Sequence, residues 1–318
     1  MKIYDVQETI LRLKKEKDIC IAAHCYQARE IIEIADFTGD SFQLSTLASK
    51  ADHNTVILCG VRFMAETVKL LSPEKSIYLA NPEAGCPMAD NITKEEVLEA
   101  KKQYSEHTVV AYVNTTAEVK ALCDVCVTSS SGVNIIKNIP NDKILFLPDP
   151  NLGAYLQKKV PDKSFVLLEG GCPIHDSVTV DDVKKAKSAH PGALVLIHPE
   201  CVPDVAEMAD YVGSTTGIMD FAIKSDEEEF LIGTEISIVE NLQYLCPDKR
   251  FYSLSHKFIC PDMKITTLND VLNCVNGLQG EEIIIDETIS AAAKRPIDKM
   301  IELGFNEVDP EEEDYDDS

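Results

Sequence analysis

Three cysteines share one context: Cys86, Cys172 and Cys260 each precede a proline, in Pro82-Glu83-Ala84-Gly85-Cys86-Pro87, Glu169-Gly170-Gly171-Cys172-Pro173 and Ile259-Cys260-Pro261, at separations of 86 and 88 residues. Thiolates are soft ligands, and cysteine before proline in a loop is a frequent context for iron-sulfur ligation. None of the three sits in a Cys-x-x-Cys pair, which leaves a closed four-thiolate zinc site poorly supported. A cubane cluster with three protein thiolates keeps one iron open, and an open metal position is what Lewis-acid chemistry requires. The remaining cysteines of the eleven read differently. Cys20, Cys25, Cys59, Cys201, Cys246 and Cys274 fall in or beside apolar runs and suit core packing. Cys123-Asp124-Val125-Cys126 joins the end of a predicted helix to the start of a strand, whereas reactive pairs favour helix N-termini, so packing is expected there too.

A second group could move protons. His24-Cys25-Tyr26-Gln27, Tyr112-Val113-Asn114-Thr115 and His198-Pro199-Glu200-Cys201, with His175, would give one cavity imidazoles, phenols and a carboxylate, whose pKa values burial can tune. A third group reads Gly39-Asp40-Ser41, Thr128-Ser129-Ser130-Ser131-Gly132 and Gly213-Ser214-Thr215-Thr216-Gly217. These suit helix N-caps, and the same hydroxyls and amides can bind phosphate or carboxylate.

The three groups come at regular intervals because the elements beneath them repeat. Short Val- and Ile-rich runs alternate with helical patterns, the signal of βα units and a parallel sheet. One copy runs through Ile19–His24, Ala35–Ser41, Val56–Gly60 and Ile77–Cys86. The next runs through Val109–Asn114, Cys126–Ser130, Ile144–Pro148 and Phe165–Cys172, and the last through Leu194–His198, Tyr211–Thr215, Phe230–Thr234 and Phe251–Cys260. His24, Asn114 and His198 close the first runs, 90 and 84 residues apart; Ser41, Ser129 and Ser214 close the second, 88 and 85 apart. A period carried by several independent markers decides the architecture before local detail does. The expectation is an α/β protein of three similar three-layer α/β/α domains, with parallel sheets arranged about a pseudo-threefold axis. Their expected boundaries are 1–87, 88–172 and 173–260, followed by C-terminal helices over 261–305 packing back on the domains and an acidic tail, 306–318, expected to be disordered. Ligands of open parallel sheets bind at the carboxyl ends of strands, where the markers fall, so three thiols and three polar sets would converge on one cavity.

Bulk properties agree. A chain of 318 residues exceeds one usual core, and no run approaches the ~18 apolar residues of a membrane span. The N-terminus lacks a signal core, which leads to the expectation of a cytoplasmic protein with free thiols. A formal charge of -24, part of it from eight acids between Glu307 and Asp317, argues against nucleic-acid binding. Neither a dinucleotide fingerprint nor a phosphate loop follows any predicted strand.

Several longer motifs resemble the quinolinate synthase family from His24 through Cys274. Besides those above they include Gly60-Val61-x-Phe63-Met64-Ala65-Glu66-Thr67, Cys86-x-Met88-Ala89-Asp90, Ala117-Glu118-Val119-Lys120-Ala121, Gly233-Thr234-Glu235 and Cys260-Pro261-x-Met263. Leu168 replaces the family's usual aromatic before Glu169, and Cys25 stands where Tyr or Asn is common. The resemblance implies condensation of iminoaspartate with dihydroxyacetone phosphate to quinolinate, phosphate and water in de novo NAD biosynthesis, with an aspartate-oxidising enzyme supplying iminoaspartate. It implies one 4Fe-4S cluster held by Cys86, Cys172 and Cys260. It also implies Tyr26, Tyr112, His175, His198 and Glu200 as catalytic groups, and His24, Ser41, Asn114, Ser129, Ser214 and Thr215, with Tyr112, His198 and Glu200, as substrate binders. The alternative is a three-cysteine cluster sensor or binding protein without this activity.

Overall fold

Val- and Ile-rich runs bounded by polar turn residues form short strands, and in a computed structural model describing residues 2–304 they assemble into three parallel sheets. The first sheet holds β1 (Ile19–His24), β2 (Phe37–Gly39), β3 (Thr55–Cys59) and β4 (Ser76–Leu79). The second holds β5 (Thr108–Tyr112), β6 (Val125–Val127), β7 (Lys143–Leu147) and β8 (Ser164–Leu167). The third holds β9 (Leu194–Ile197), β10 (Tyr211–Val212), β11 (Glu229–Gly233) and β12 (Arg250–Ser253). In each sheet the second strand pairs with the first, the first with the third, and the third with the fourth, all parallel. The first sheet gains an antiparallel edge strand, β13 (Glu281–Glu282), beside β4. This edge strand was not expected from the sequence, although the short apolar run Ile283–Ile285 follows it directly.

All six residues of β1 are buried, as expected of a parallel strand covered on both faces. Alternation splits them between two layers: Cys20 and Ala22 pack with Leu44 and Val68 from helices Ser41–Lys50 and Arg62–Leu71. Ile21 and Ala23 pack with Ile10 and Val271 from helices Ile3–Glu16 and Leu268–Val275. The third sheet repeats this division, with Val195 and Ile197 in one core and Leu196 in the other. Each fully buried aliphatic side chain contributes roughly 1.5–3 kcal/mol. The last described helix, Glu287–Gly304, inserts Ala293, Ile297 and Met300 into the core of the second sheet. The segment 306–318, read from sequence as a disordered tail, lies outside the described residues.

One brace recurs in all three sheets. Asp36, Asp124 and Asp210 each stand just before a second strand, and their carboxylates accept the N–H of Ile21, Val109 and Val195 at 2.8, 2.8 and 2.7 Å. Their own N–H groups return bonds to the carbonyls of those residues. The three cysteines follow the fourth strands in loops, as expected: β4, β8 and β12 stop at Leu79, Leu167 and Ser253, five to seven residues before them.

Candidate active site

Each Cys-Pro pair folds into the same local unit. Cys86, Cys172 and Cys260 have extended backbone at the N-cap position, with ψ of 107, 112 and 107°, and proline supplies the first helical residue. Proline suits that place because its missing N–H has no intrahelical acceptor there and its φ is already helical. The cysteine carbonyls accept from Asp90, Asp176 and Lys264 four residues on, at 2.9, 2.9 and 3.1 Å. The thiols meet backbone N–H groups of Ala89, of His175 and Ile174, and of Met263 and Asp262. The approach to Cys172 uses φ of 150° at Gly170 and 113° at Gly171, a region open to glycine and costly for other residues.

All three cysteines line one cavity at the carboxyl ends of the strands. Among the described residues the three thiols do not form a group whose donor atoms all lie within 4.8 Å of one another. Burial pushes the Cys86 thiol up to about 12 and Cys260 to about 11, and raises Cys172 well above its ordinary value; the amides just named oppose the shift. A ligand that takes thiolates must therefore displace protons on binding.

The polar groups interlock across the sheets. Tyr26, from the loop after β1, places its Oη 2.7 Å from Thr215 Oγ1 and 2.8 Å from Thr234 Oγ1 on the third sheet. Its carbonyl accepts from Ser237 Oγ at 3.1 Å and Lys264 Nζ at 2.7 Å, which fixes the loop against the helix that follows Cys260. Tyr112, ending β5, donates to Glu200 Oε1 at 2.7 Å. His175 Nδ1 lies 3.1 Å from Glu200 Oε2 and 3.2 Å from Cys172 Sγ, and its Nε2 lies 3.2 Å from Thr234 Oγ1. His198 Nε2 faces Ser129 Oγ at 3.3 Å.

His24 and His198 are held in the same way. Each accepts, on Nδ1, the backbone N–H two residues on: Tyr26 at 3.1 Å and Glu200 at 3.3 Å. The neutral ring then carries its proton on Nε2. Burial lowers both imidazoles to about 4, keeping them neutral near pH 7. Glu200 stays ionised: burial opposes this, but the hydrogen bonds from His175 and Tyr112 help to outweigh it. Burial holds the phenols of Tyr26 and Tyr112 protonated, with raised pKa values.

Ser41, Asn114, Ser129 and Thr215 also line the cavity, and Asn114 Oδ1 is buried without a hydrogen-bond partner. The three serines divide differently from the capping expectation. Asp40 caps its helix by accepting from Gln43 N at 3.0 Å, which releases Ser41; Ser129 lies ahead of helix Gly132–Asn138 and also does not cap. Ser214 does cap, accepting from Gly217 N at 3.0 Å, and its side chain is not among those lining the cavity. Sequence reasoning placed Asp40 only in a capping run, which its bond from Gln43 N bears out, and Thr234 and Glu235 only in a family motif. Yet Asp40 and Glu235 line the cavity, and Thr234 bridges Tyr26 and His175. Of the cysteines assigned to packing, Cys20, Cys25, Cys59, Cys123, Cys126, Cys201 and Cys274 are buried and Cys246 is half-buried.

Fold and site together define a class: a threefold-repeated parallel α/β protein whose strand-end loops share one cavity lined by thiols, neutral imidazoles and an ionised carboxylate. The profile of the quinolinate synthetase A protein family matches residues 8–302. A quinolinate synthase of Caldicellulosiruptor bescii is 48% identical over 304 residues, 96% of this chain and 100% of that protein. Quinolinate synthases of Clostridium kluyveri and Thermodesulfovibrio yellowstonii are each 45% identical, over 92% and 93% of this chain and 97% of their own lengths. The chain belongs to the quinolinate synthase family of enzymes.

Proposed function

We propose that this chain condenses iminoaspartate with dihydroxyacetone phosphate to quinolinate, phosphate and water in de novo NAD biosynthesis, with Cys86, Cys172 and Cys260 holding a 4Fe-4S cluster. The observation that carries this reading is the sharing of one cavity by three Cys-Pro units and by the Tyr112–Glu200–His175 chain. The donor set fits the group: three thiols on one cavity, each met by backbone N–H groups that favour a charged sulfur. When bound, such a cluster supplies an open iron that polarises a substrate nitrogen or oxygen.

The protein's own residues supply the rest. Ser41 and Thr215 stand at the first turns of ten-residue helices, whose free N–H groups favour a carboxylate or phosphate. The lone Asn114 Oδ1 accepts an N–H or O–H from substrate, and the Nε2 protons of His24 and His198 are donated to substrate oxygens. Ser129, beside His198 Nε2, extends that polar wall, and Ser214 acts by holding the helix start that presents Thr215. Glu200 takes a proton at Oε2, with His175 Nδ1 as the adjoining relay atom. Tyr112 and Tyr26 Oη are neutral donors for oxygens that gain charge during carbon-carbon bond formation and water loss. The charge balance suits small anions held by local amide dipoles rather than a basic surface. Iminoaspartate would come from an enzyme that oxidises aspartate.

The test is an anaerobic assay of quinolinate formation with wild type and the single Cys86→Ala, Cys172→Ala and Cys260→Ala variants. Product from wild type and at least a 100-fold loss in every variant is expected. Cluster-loaded wild type that makes no quinolinate from the two substrates would refute the assignment and favour a sensor.

A further inference from the structure

Cys172, His175 and Glu200 form a second constellation inside the cavity, distinct in composition from the three thiols. One donor atom from each lies within 4.8 Å of the other two, and no other such trio of His, Cys, Asp or Glu occurs among the described residues. His175 Nδ1 sits 3.2 Å from Cys172 Sγ and 3.1 Å from Glu200 Oε2. A tetrahedral zinc-sized ion with bonds of about 2.3 Å to sulfur and about 2.0–2.1 Å to nitrogen and oxygen has donor-donor edges of about 3.3–3.6 Å. The two edges that meet at His175 Nδ1 reach that geometry if they lengthen by a few tenths of an ångström, and the third lies within 4.8 Å.

The outer partners that such a site requires are also in place. A ligating imidazole needs an acceptor for its other ring N–H, and His175 Nε2 faces Thr234 Oγ1 at 3.2 Å. A ligating carboxylate is usually tied down at its second oxygen, and Glu200 Oε1 accepts from Tyr112 at 2.7 Å. Cys172 and His175 are three residues apart across one short helix, while Glu200 arrives from the loop after β9. His175 and Glu200 are buried, at 3% and 5% exposure, and Cys172 is half-buried.

We propose that the chain without its cluster binds one divalent ion of Zn²⁺ type through Cys172 Sγ, His175 Nδ1 and Glu200 Oε2, leaving a fourth position open to the cavity. Mixed sulfur, nitrogen and oxygen donors with an open position suit a borderline ion better than Mg²⁺ or Ca²⁺. Binding releases the thiol proton of Cys172, and the imidazole proton resides on Nε2, donated to Thr234. Two statements rest on the proposed function: that ion and cluster exclude each other, because they would compete for Cys172, and that the ion blocks activity. The ion would also engage Glu200 and His175, so a zinc-loaded chain is inactive until the ion is removed.

Full-length protein freed of iron anaerobically by a chelator is titrated with Co²⁺ as a spectroscopic probe and then with Zn²⁺. About one Co²⁺ per chain is expected, with thiolate-to-cobalt charge transfer in the near ultraviolet and the visible bands of a four-coordinate ion, both displaced by Zn²⁺. Cys172→Ser removes the charge-transfer band, and His175→Gln and Glu200→Gln each weaken binding by about tenfold or more. Cys86→Ser and Cys260→Ser bind within about twofold of wild type. Loss of the band in Cys86→Ser or Cys260→Ser to the extent seen in Cys172→Ser overturns the proposal, as does unchanged affinity in both His175→Gln and Glu200→Gln. Circular dichroism identifies any variant that fails to fold, and Glu200→Asp then replaces Glu200→Gln, with retained cobalt at lowered affinity expected and unaltered affinity counting against the site. Failure of the cluster reading leaves the cobalt result unchanged, so the two are told apart.

Discussion

Glu200 is where side chains from different sheets meet, taking Tyr112 on one oxygen and His175 on the other. Glu200→Gln keeps its shape and removes its charge, and Tyr26→Phe removes the hydroxyl between Thr215 and Thr234. Each is expected to lower kcat by about 100-fold or more while the folded state persists, checked by anaerobic turnover and thermal unfolding. Full turnover in both variants would remove these roles. His198 gives a second test, through pH. Its folded pKa is about 4 against 6.5 for the free group, so between those values the unfolded chain binds more protons. The stability linked to His198 is therefore lost as pH falls from about 6.5 toward about 4. The Tm advantage of wild type over His198→Gln should shrink between pH 7 and pH 4.5; a constant or growing advantage contradicts the neutral buried ring. At this scale much of the cavity was legible, because His24, Asn114, His198 and the cysteines recur with the period of the fold. Ser214 shows the limit: sequence reveals a hydroxyl at a strand end, but a neighbour decides whether it caps. Asp40 relieves Ser41 of that work, and nothing relieves Ser214.

Among elements, the Cys-Pro unit matters most, and its weakest point is the approach to Cys172. A Cβ at Gly170 would stand 2.1 Å from the Pro148 carbonyl oxygen, at a φ that other residues rarely adopt. Gly170→Ala should therefore cost at least ~2 kcal/mol and displace Cys172, read as a lowered Tm and poor iron retention. Gly192→Ala meets nothing within 4 Å and should stay within about 0.5 kcal/mol of wild type. Equal behaviour of the two variants would mean that the loop yields freely. Strand starts were legible because apolar runs begin abruptly after polar turns, whereas ends were not. Ala80 and Ala84 continue the buried pattern after β4, although the backbone has already left the sheet. The aspartate brace at Asp36, Asp124 and Asp210 shared the period and was available to the same reasoning. It was passed over because a lone acid before a strand resembles an ordinary turn residue.

For the whole molecule, the central claim is that three sheets of one strand order bring their carboxyl ends to a shared cavity. Hydrogen bonds tie the sheets across it: Tyr26 to Thr215, Tyr112 to Glu200, Ser129 to His198, and Asp40 to Thr216 at 2.8 Å. The repeat was legible in sequence because identical topology places like residues at like intervals. The contacts between the sheets were not, since some of them join residues more than 200 positions apart, with no pattern along the chain. If the cavity holds one cluster on Cys86, Cys172 and Cys260, each thiol is needed and the buried pair Cys123 and Cys126 is not. The most direct measurement is iron and acid-labile sulfide per chain after anaerobic reconstitution of wild type, the three single Cys→Ala variants and a Cys123→Ala, Cys126→Ala double variant. About four of each per chain are expected in wild type and the double variant, and below about one in each single variant. A full complement in any of the three single variants, or its loss in the double variant, would contradict the account.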